Sequence, residues 1–523
     1  MEIFRFSPGP NKAHLIKWRS WSKEAFEEAN KENKPVFLSL AATWCHWCHV
    51  MDKTTFSHLP SISFLNEHFI PVRVDTDRRP DIQNRYIMDG WPTNAFLTDE
   101  GDIITGNTYI PPAEFRRLLK KVSADWLKNR EEIISLAAER RTRVLEKIEK
   151  EKDVGARHAS PLLIGKILDQ YTKVFDEKFG GFGEALKFPA PLAMELFMRE
   201  AQVGARHASP RAKNISPLLK MATVTLDNMA KGEIYDKEWG GFFRYSTERD
   251  WSRTHSEKML AENAGIIMNY LHAYEITGKP LYKEVAVNCL DYINTFLANH
   301  PMGGFFGSQN ADEEFYRPKT EDRKLEEAPF IDKTVYTDSC AQMISTYLEA
   351  SRILNERKYL DFAVDSMRFL LQNCLSSYGT AHYYTSKGET GATCLLQDQV
   401  WLLMALIDLY EHDPEPDYLT QANDIVDIII NRLAGDGAFF DKPAGPDDVG
   451  NLKIRYEPVK ENAVLALALW RLSILSNSKD LSDMARQILS AFSFEQFKGD
   501  YISMAPYALA LSEITGEEIK KAA

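Results

Sequence analysis

Trp44-Cys45-His46-Trp47-Cys48-His49-Val50-Met51 is the stretch on which the reading of this chain turns. It follows closely on Pro35-Val36-Phe37-Leu38-Ser39-Leu40, a near-continuous apolar run of the kind a strand shows when its sheet is covered on both faces. Two cysteines two residues apart, directly after such a strand, predict a helix that opens on the cysteine pair. Working outward, Ser22 can cap a helix carrying Ala25, Phe26 and Ala29, and Phe69-Ile70-Pro71-Val72-Arg73-Val74-Asp75 reads as a second strand. Gly90-Trp91-Pro92-Thr93 is a turn, Asn94-Ala95-Phe96-Leu97 a third strand, and Asp99-Glu100-Gly101-Asp102 a hairpin leading into Ile103-Ile104-Thr105. Pro112 then starts a helix through Phe115, Leu118, Leu119 and Val122.

Strand, Cys-x-x-Cys at a helix start, strand, Pro turn, hairpin and last helix is the order of a thioredoxin-like α/β fold, assigned here to residues 1–128. Trp91-Pro92, 44 positions after Cys48, falls where such folds place a cis-proline facing the disulfide. Residues 129–159 read as a charged helical linker. At a helix N-terminus thiolate is stabilised, so Cys45 is expected to be the nucleophile and Cys48 the resolving thiol. His46 and His49, with Trp47 and Pro92, are the expected supporting residues, the histidines favouring the thiolate and so a more oxidising couple. Three other readings of the same residues stay open. Cys45-x-x-Cys48-His49 matches a c-type haem attachment pattern, the pair with two histidines could hold zinc, and a thioredoxin-like fold can keep its cysteines without a redox role.

The bulk numbers set the frame. A chain of 523 residues exceeds what one hydrophobic core covers, so more than one domain is expected. A net charge of −12 argues against nucleic acid or an anionic membrane as partner. No run approaches the roughly 18 apolar residues of a membrane span, and Met1 to Pro10 lacks the apolar core of a signal peptide. Six cysteines make no disulfide framework, and positions 289, 340, 374 and 394 read as buried residues within helices. A cytoplasmic protein without metal or cofactor is expected.

From residue 160 onward no strand order is visible. Twelve helical segments start near residues 161, 190, 214, 258, 280, 333, 357, 396, 417, 459, 480 and 501. Gly-aromatic loops punctuate alternate joints at glycines 180, 240, 303, 379, 437 and 499, a period of about 60 residues repeated through 160–523. Six αα-hairpins closing on themselves give an (α/α)6 barrel, with an open solenoid as the alternative. The octapeptide Val154 to Pro161 recurs as Val203 to Pro210. Its offset does not fit the period, both copies are read between helices, and His158 and His207 receive no role.

Lys34-Pro35-Val36-Phe37-Leu38, the Trp44–Met51 string, Val72-Arg73-Val74-Asp75, Arg79-Pro80-Asp81-Ile82, Gly90-Trp91-Pro92 and Phe96-Leu97-Thr98 resemble the spermatogenesis-associated family of thioredoxin-domain proteins. The resemblance continues through Phe179-Gly180-Gly181-Phe182-Gly183, Lys187-Phe188-Pro189, Gly240 to Tyr245, His255, Glu257-Lys258-Met259-Leu260 and Ala311-Asp312-Glu313-Glu314. Ser256 stands where that family usually has an aromatic, and Asn310 where it usually has an aspartate. The resemblance implies a thioredoxin-like fold fused to a barrel of the six-hairpin glycosidase type.

Residues just after the Gly-aromatic loops are expected to face the barrel mouth: Lys187, Arg244, Trp251, His255, Glu257, Lys258, Asp312, Glu313, Asp338, Asp398 and Glu461. Aromatics beside carboxylates suit a carbohydrate cleft, although charged residues at such positions also cap helices or pair with one another. The expected ligand site is Lys187, Arg244, His255, Glu257, Lys258 and Asp312. His255 and Lys258 are placed on one face of a helix, with Glu257 crossing to Arg244. Two functions follow: a dithiol oxidoreductase, with a thiol or disulfide protein as partner, fused to a barrel that takes a sugar-like molecule; or a carbohydrate-active enzyme, glycosidase or epimerase, whose thioredoxin part is an interaction module.

Overall fold

In the computed structural model, which describes residues 4–153, 161–207, 216–316, 323–446 and 448–522, the apolar run after Pro35 is buried at every position. The first elements are α1 (Lys23–Glu32), β1 (Val36–Ala41), α2 (His46–Lys53), α3 (Leu59–His68), β2 (Ile70–Asp75) and α4 (Pro80–Tyr86). They are followed by β3 (Thr93–Leu97), β4 (Ile103–Asn107) and α5 (Pro112–Asp153). The sheet order is β2-β1-β3-β4, with β1 parallel to β2 and antiparallel to β3. Alternation along β1 sends Val36, Leu38 and Leu40 to a core with Trp21, Phe26, Val72 and Tyr86. Phe37 goes to the other face, packed within 5.2 Å of both Phe96 and Phe115. Both faces are therefore covered, as the apolar run requires. α3 and α4 were not foreseen.

The chain divides into two compact units, Met1–Lys150 with Lys442–Tyr456, and Glu151–Asp441 with Glu457–Ala523. The stretch read as a linker continues α5 past a kink at Asn129. As far as Lys150 it counts with the first unit, held there by Arg130 on Asp99 and by Arg141 on Asp102 at 2.9 Å. The stretch 442–456, read as barrel, also counts with the first unit. Leu452 enters its core, the Asn451 N–H donates to the Tyr86 hydroxyl at 2.7 Å, and that hydroxyl donates to the Gly101 carbonyl at 2.8 Å. Gly101, at φ +88°, passes so close to Gly450 that a Cβ would lie 2.7 Å from its Cα, so both positions need glycine.

The long helices of the second unit are α6 (Pro161–Val174), α7 (Pro191–His207), α8 (Pro217–Lys231), α9 (Leu260–Thr277) and α10 (Pro280–Tyr292). After the short α11 (Glu313–Tyr316) come α12 (Thr337–Leu354), α13 (Arg357–Asn373), α14 (Leu396–His412), α15 (Pro416–Leu433), α16 (Val459–Ser476) and α17 (Lys479–Ser490). The short α18 (Phe494–Phe497) and α19 (Tyr501–Ala522) end the series. Helices α7, α9, α12, α14, α16 and α19 touch in sequence, and α19 returns to α7, so the ring closes. α8, α10, α13, α15, α17 and α6 pack outside α7, α9, α12, α14, α16 and α19 respectively. The second unit is an (α/α)6 barrel rather than an open solenoid. Ring helices are apolar nearly all round, as in α14 with Leu402, Leu403, Leu406, Ile407 and Leu409 buried, because both sides meet protein.

Short strands, absent from the sequence reading, occupy the loops that enter the ring helices: β5 (Tyr245–Ser246), β6 (Thr254–His255), β7 (Lys258–Met259), β8 (Ser308–Gln309), β9 (Ile331–Asp332), β10 (Val335–Tyr336), β11 (Leu375–Ser376), β12 (Gly379–Tyr384) and β13 (Thr390–Thr393). Their low regularity left no alternation for a sequence reading to find. The first octapeptide copy, with His158, lies outside the described residues except for Pro161. The second begins inside α7, not between helices.

Candidate functional site

Cys45 takes the N-cap position of α2, and its Sγ accepts the Cys48 N–H at 3.1 Å. The two cysteines are disulfide-bonded, their Cα atoms 5.3 Å apart. Both are buried, 4% and 3% exposed, so helix position rather than exposure distinguishes them. Trp91–Pro92 is cis, as expected. Because Leu40 pairs with Thr93, Pro92 is level with the end of β1 from which the cysteine loop springs. Aromatic rings surround this end: Trp44 meets Trp91 edge-on at 5.5 Å, and half-exposed Trp47 leans on Tyr109 at 5.1 Å. His46 is half-buried on the first turn. His49 departs from expectation: its Nε2 lies 2.6 Å from the Thr43 carbonyl oxygen, and burial pushes its imidazole below the usual range, so at neutral pH it brings no positive charge.

A feature the sequence reading missed fastens α2 to the sheet. Asp52, one turn beyond Cys48 and 1% exposed, takes both terminal nitrogens of Arg73 on β2, at 2.8 and 3.0 Å. It also accepts the Ser7 N–H at 2.9 Å. An arginine between Val72 and Val74 in a buried strand was the available signal, since such a charge needs a partner.

In the barrel, two expected ligand residues have another task. The Lys187 Nζ donates to Asp176 and to the Gly180 carbonyl, each at 2.6 Å. The Lys258 Nζ repeats this with Asp236 at 2.8 Å and the Gly240 carbonyl at 2.7 Å. Both lysines are 0% exposed. The loops themselves are the same turn, with the Gly180 and Gly240 N–H groups donating to the Asp176 and Asp236 carbonyls. A buried ammonium ion needs an anion and acceptors, and each loop supplies one set, so these lysines staple loops and do not face a ligand. Trp251, 0% exposed with its Nε1 on the Phe179 carbonyl, is core rather than mouth. Asp312 caps α11 through the Phe315 N–H at 3.0 Å.

Arg244, His255 and Glu257 do gather. Residues 254–259 are extended, with helix beginning only at Leu260, so His255 and Lys258 share no helical face. The Arg244 Nη1 is 3.7 Å from Glu257, which is 4% exposed and pushed up to about 7 by burial, against the pull of Arg244. His255 stacks on Tyr245 at 4.8 Å, and Phe188 lies on Tyr245 at 5.0 Å. A cleft of about 820 Å³ adjoins, lined by Phe243, His255, Ser256, Tyr316 and Arg323 among others.

Asp338 and Asp398, singled out in the sequence, meet His382, which was not. The His382 Nδ1 lies 2.9 and 3.1 Å from the two oxygens of Asp398, which is 0% exposed and pushed up to about 6 by burial. Ligand atoms of the three lie within 4.8 Å of one another, close enough for a cation. His382 sits in β12, a strand the sequence reading lacked. A further network joins the ring helices. His272 bridges Glu195 at 2.9 Å and Glu349 at 3.6 Å, and although burial opposes the charged imidazole, these carboxylates lift it to about 10.

Residues 10–146 match the Thioredox_DsbH family model, described as a protein of unknown function, DUF255. The resemblance drawn from the sequence stands. The human spermatogenesis-associated protein 20 is 34% identical over 325 residues, 58% of this chain and 40% of its own length. The uncharacterized protein B0495.5 of Caenorhabditis elegans is 31% identical over 313 residues, 57% of this chain and 41% of its own. The chain thus spans about two fifths of the length of the curated relatives it matches. Among solved structures, a cellobiose 2-epimerase from Spirochaeta thermophila superposes with TM-score 0.52 at 14% identity, covering 68% of this chain and 94% of that one. A D-mannose isomerase gives 0.51 at 13%, covering 68% and 99%. These likenesses concern the barrel fold alone. Among the described residues no helix is long and apolar enough to cross a membrane.

Proposed function

We propose that the first unit carries out thiol–disulfide exchange, with Cys45 attacking and Cys48 resolving. The observation that carries this is the placing of Cys45 at the N-cap of α2, its Sγ accepting the Cys48 N–H. The same donor and the positive end of the helix stabilise a thiolate there once the pair is reduced. In the exchange, the Cys45 thiolate attacks one sulfur of a partner disulfide and forms a mixed disulfide as the other partner sulfur leaves as thiolate. The Cys48 thiolate then attacks the Cys45 Sγ, closing the Cys45–Cys48 disulfide and releasing the second partner thiol. The partner gains two electrons and the pair loses them; run backwards, the pair oxidises a dithiol. The half-buried His46, exposed Trp47 and Pro92 support this centre.

The proposal places the protein in the cytoplasm, where the buried, unpaired cysteines 289, 340, 374 and 394 stay thiols. It extends to the barrel, which takes a sugar-like small molecule beside Arg244, His255 and Glu257; support comes from a fold shared with proteins described as sugar epimerases and isomerases. For the thiol site the test is alkylation of the reduced chain followed by peptide mapping. Cys45 is expected to be labelled first, and down to acidic pH. Faster labelling of Cys48, Cys340 or Cys374 overturns the assignment.

A further inference from the structure

Three buried polar atoms lie together on one side of a short ribbon. β7 pairs with β8 so that Lys258 is opposite Gln309 and Met259 opposite Ser308; extending that register one step beyond the strands sets Glu257 against Asn310. Side chains alternate along strands and directly opposed residues share a face. Lys258 and Gln309 therefore occupy one face, and Glu257, Met259, Ser308 and Asn310 the other. The first face is closed: Lys258 holds Asp236 and the Gly240 carbonyl, and the Gln309 Oε1 accepts the hydroxyls of Tyr292 at 3.1 Å and Tyr316 at 2.9 Å. On the second face, Glu257 Oε2, Ser308 Oγ and Asn310 Oδ1 are buried without a hydrogen-bond partner. The three residues are only 4%, 1% and 4% exposed. Native proteins carry few such atoms, and three on one four-residue face need a common cause.

We infer that this face binds a neutral, hydroxyl-rich ligand, with Glu257 and Asn310 accepting from adjacent hydroxyls and Ser308 beside them; the inference rests on the reading that the barrel takes a small molecule. The unpaired atoms dictate the class. An ionised carboxylate oxygen and an amide oxygen need donors, whereas the serine hydroxyl, and Glu257 when protonated, can give or accept. A cationic donor is disfavoured because Arg244, 3.7 Å from Glu257, already supplies the positive charge. An anion is disfavoured by Asp332, paired in register with Ser308, and by Glu257 once it is ionised. A neutral polyol satisfies all three atoms without adding charge. The stacked Phe188, Tyr245 and His255 beside Arg244 offer flat apolar surface of the kind a pyranose ring face covers.

The test uses the full chain and isothermal titration with D-glucose, cellobiose, glucosamine and glucuronate. Wild type is expected to bind a neutral sugar at least about ten-fold more tightly than either charged one, and Glu257→Gln, Asn310→Ala and Ser308→Ala each to weaken that binding about ten-fold, the loss of one hydrogen bond. Three variants guard against one that fails to fold, and melting temperatures no lower than wild type in the others separate binding from structure. Neutral-sugar binding that survives every folded variant within about two-fold overturns this site while leaving the barrel reading intact. Preference for glucosamine or glucuronate overturns the ligand class. No binding by wild type to any of the four removes both the inference and the barrel reading on which it rests.

Discussion

Replacing Asp236 by asparagine tests whether Lys258 is a staple or a ligand residue. Asp236 takes Lys258 at 2.8 Å and Arg323 at 3.0 Å, and these cations hold its carboxyl below the usual range against the burial that would raise it. Lys258 is 0% exposed and the Arg323 side chain 8%. The amide side chain keeps the shape of the carboxylate but leaves two buried cations without their anion. Removing one partner of a buried pair costs about 3–5 kcal/mol, because the surviving charge stays desolvated. Lys258→Met removes the cation instead; Asp236 keeps Arg323, and the Gly240 carbonyl loses one donor, for about 1–3 kcal/mol. The assay is urea unfolding followed by far-UV circular dichroism, which the helices of the second unit dominate, comparing midpoints at unchanged slope. Asp236→Asn should cost clearly more than Lys258→Met. The reverse order, or a wild-type midpoint for Asp236→Asn, refutes the reasoning and returns Lys258 to the list of ligand residues.

Other outcomes follow from the same geometry. His46→Gly should make the Cys45–Cys48 couple more reducing in equilibrium with glutathione, each ten-fold change in the constant amounting to about 30 mV; an unchanged or more oxidising variant excludes a role for His46 in stabilising the thiolate. Glu257, lifted by burial from 4.5 to about 7, keeps its proton in the folded state where the unfolded chain releases it, so its contribution is full below 4.5 and lost as pH rises to 7. Glu257→Gln should therefore gain stability relative to wild type across that window and hold the gain above it, measured by unfolding at several pH values; a flat difference contradicts the burial of the charge. Leu452→Ala should destabilise the thioredoxin-like unit by about 2–5 kcal/mol, as a buried leucine in that core requires, seen as faster proteolysis within residues 1–150. Selective loss in the barrel instead would detach 442–456 from the first unit.

What could be read in advance was what leaves a periodic or punctuated trace. β1 announces itself because every residue is buried, and Pro92 because a turn and a strand flank it. Among the described residues, the twelve long helices of the barrel begin within about four positions of where apolar spacing and Gly-aromatic loops put them, since each Gly180- or Gly240-type turn needs the same unusual backbone. Closure of the ring was not decided by counting six hairpins, which an open solenoid also has; the return of α19 to α7 decides it.

The site was less legible, for a physical reason visible at Lys258 and Glu257. Adjacent in sequence and both buried, they have opposite fates because residues 254–259 run extended into α9. Read as a helix start, this stretch puts His255 with Lys258. Read as a strand, it sends Lys258 toward Asp236 and Glu257 to the face of Ser308 and Asn310. A two-residue strand has too little sequence to show a period of two; only its partner reveals it, and Ser308 and Gln309 lie about fifty positions away. His382 was missed in the same way, because β12 owes its existence to pairing with β10, β11 and β13 rather than to its own pattern. Helical scaffolds are written locally, whereas the polar groups at this barrel's loops are set by pairing between distant short strands. A reading of single residue types near a glycine therefore finds the right neighbourhood but cannot tell which of two adjacent ionisable residues is a staple and which keeps an oxygen without a hydrogen bond.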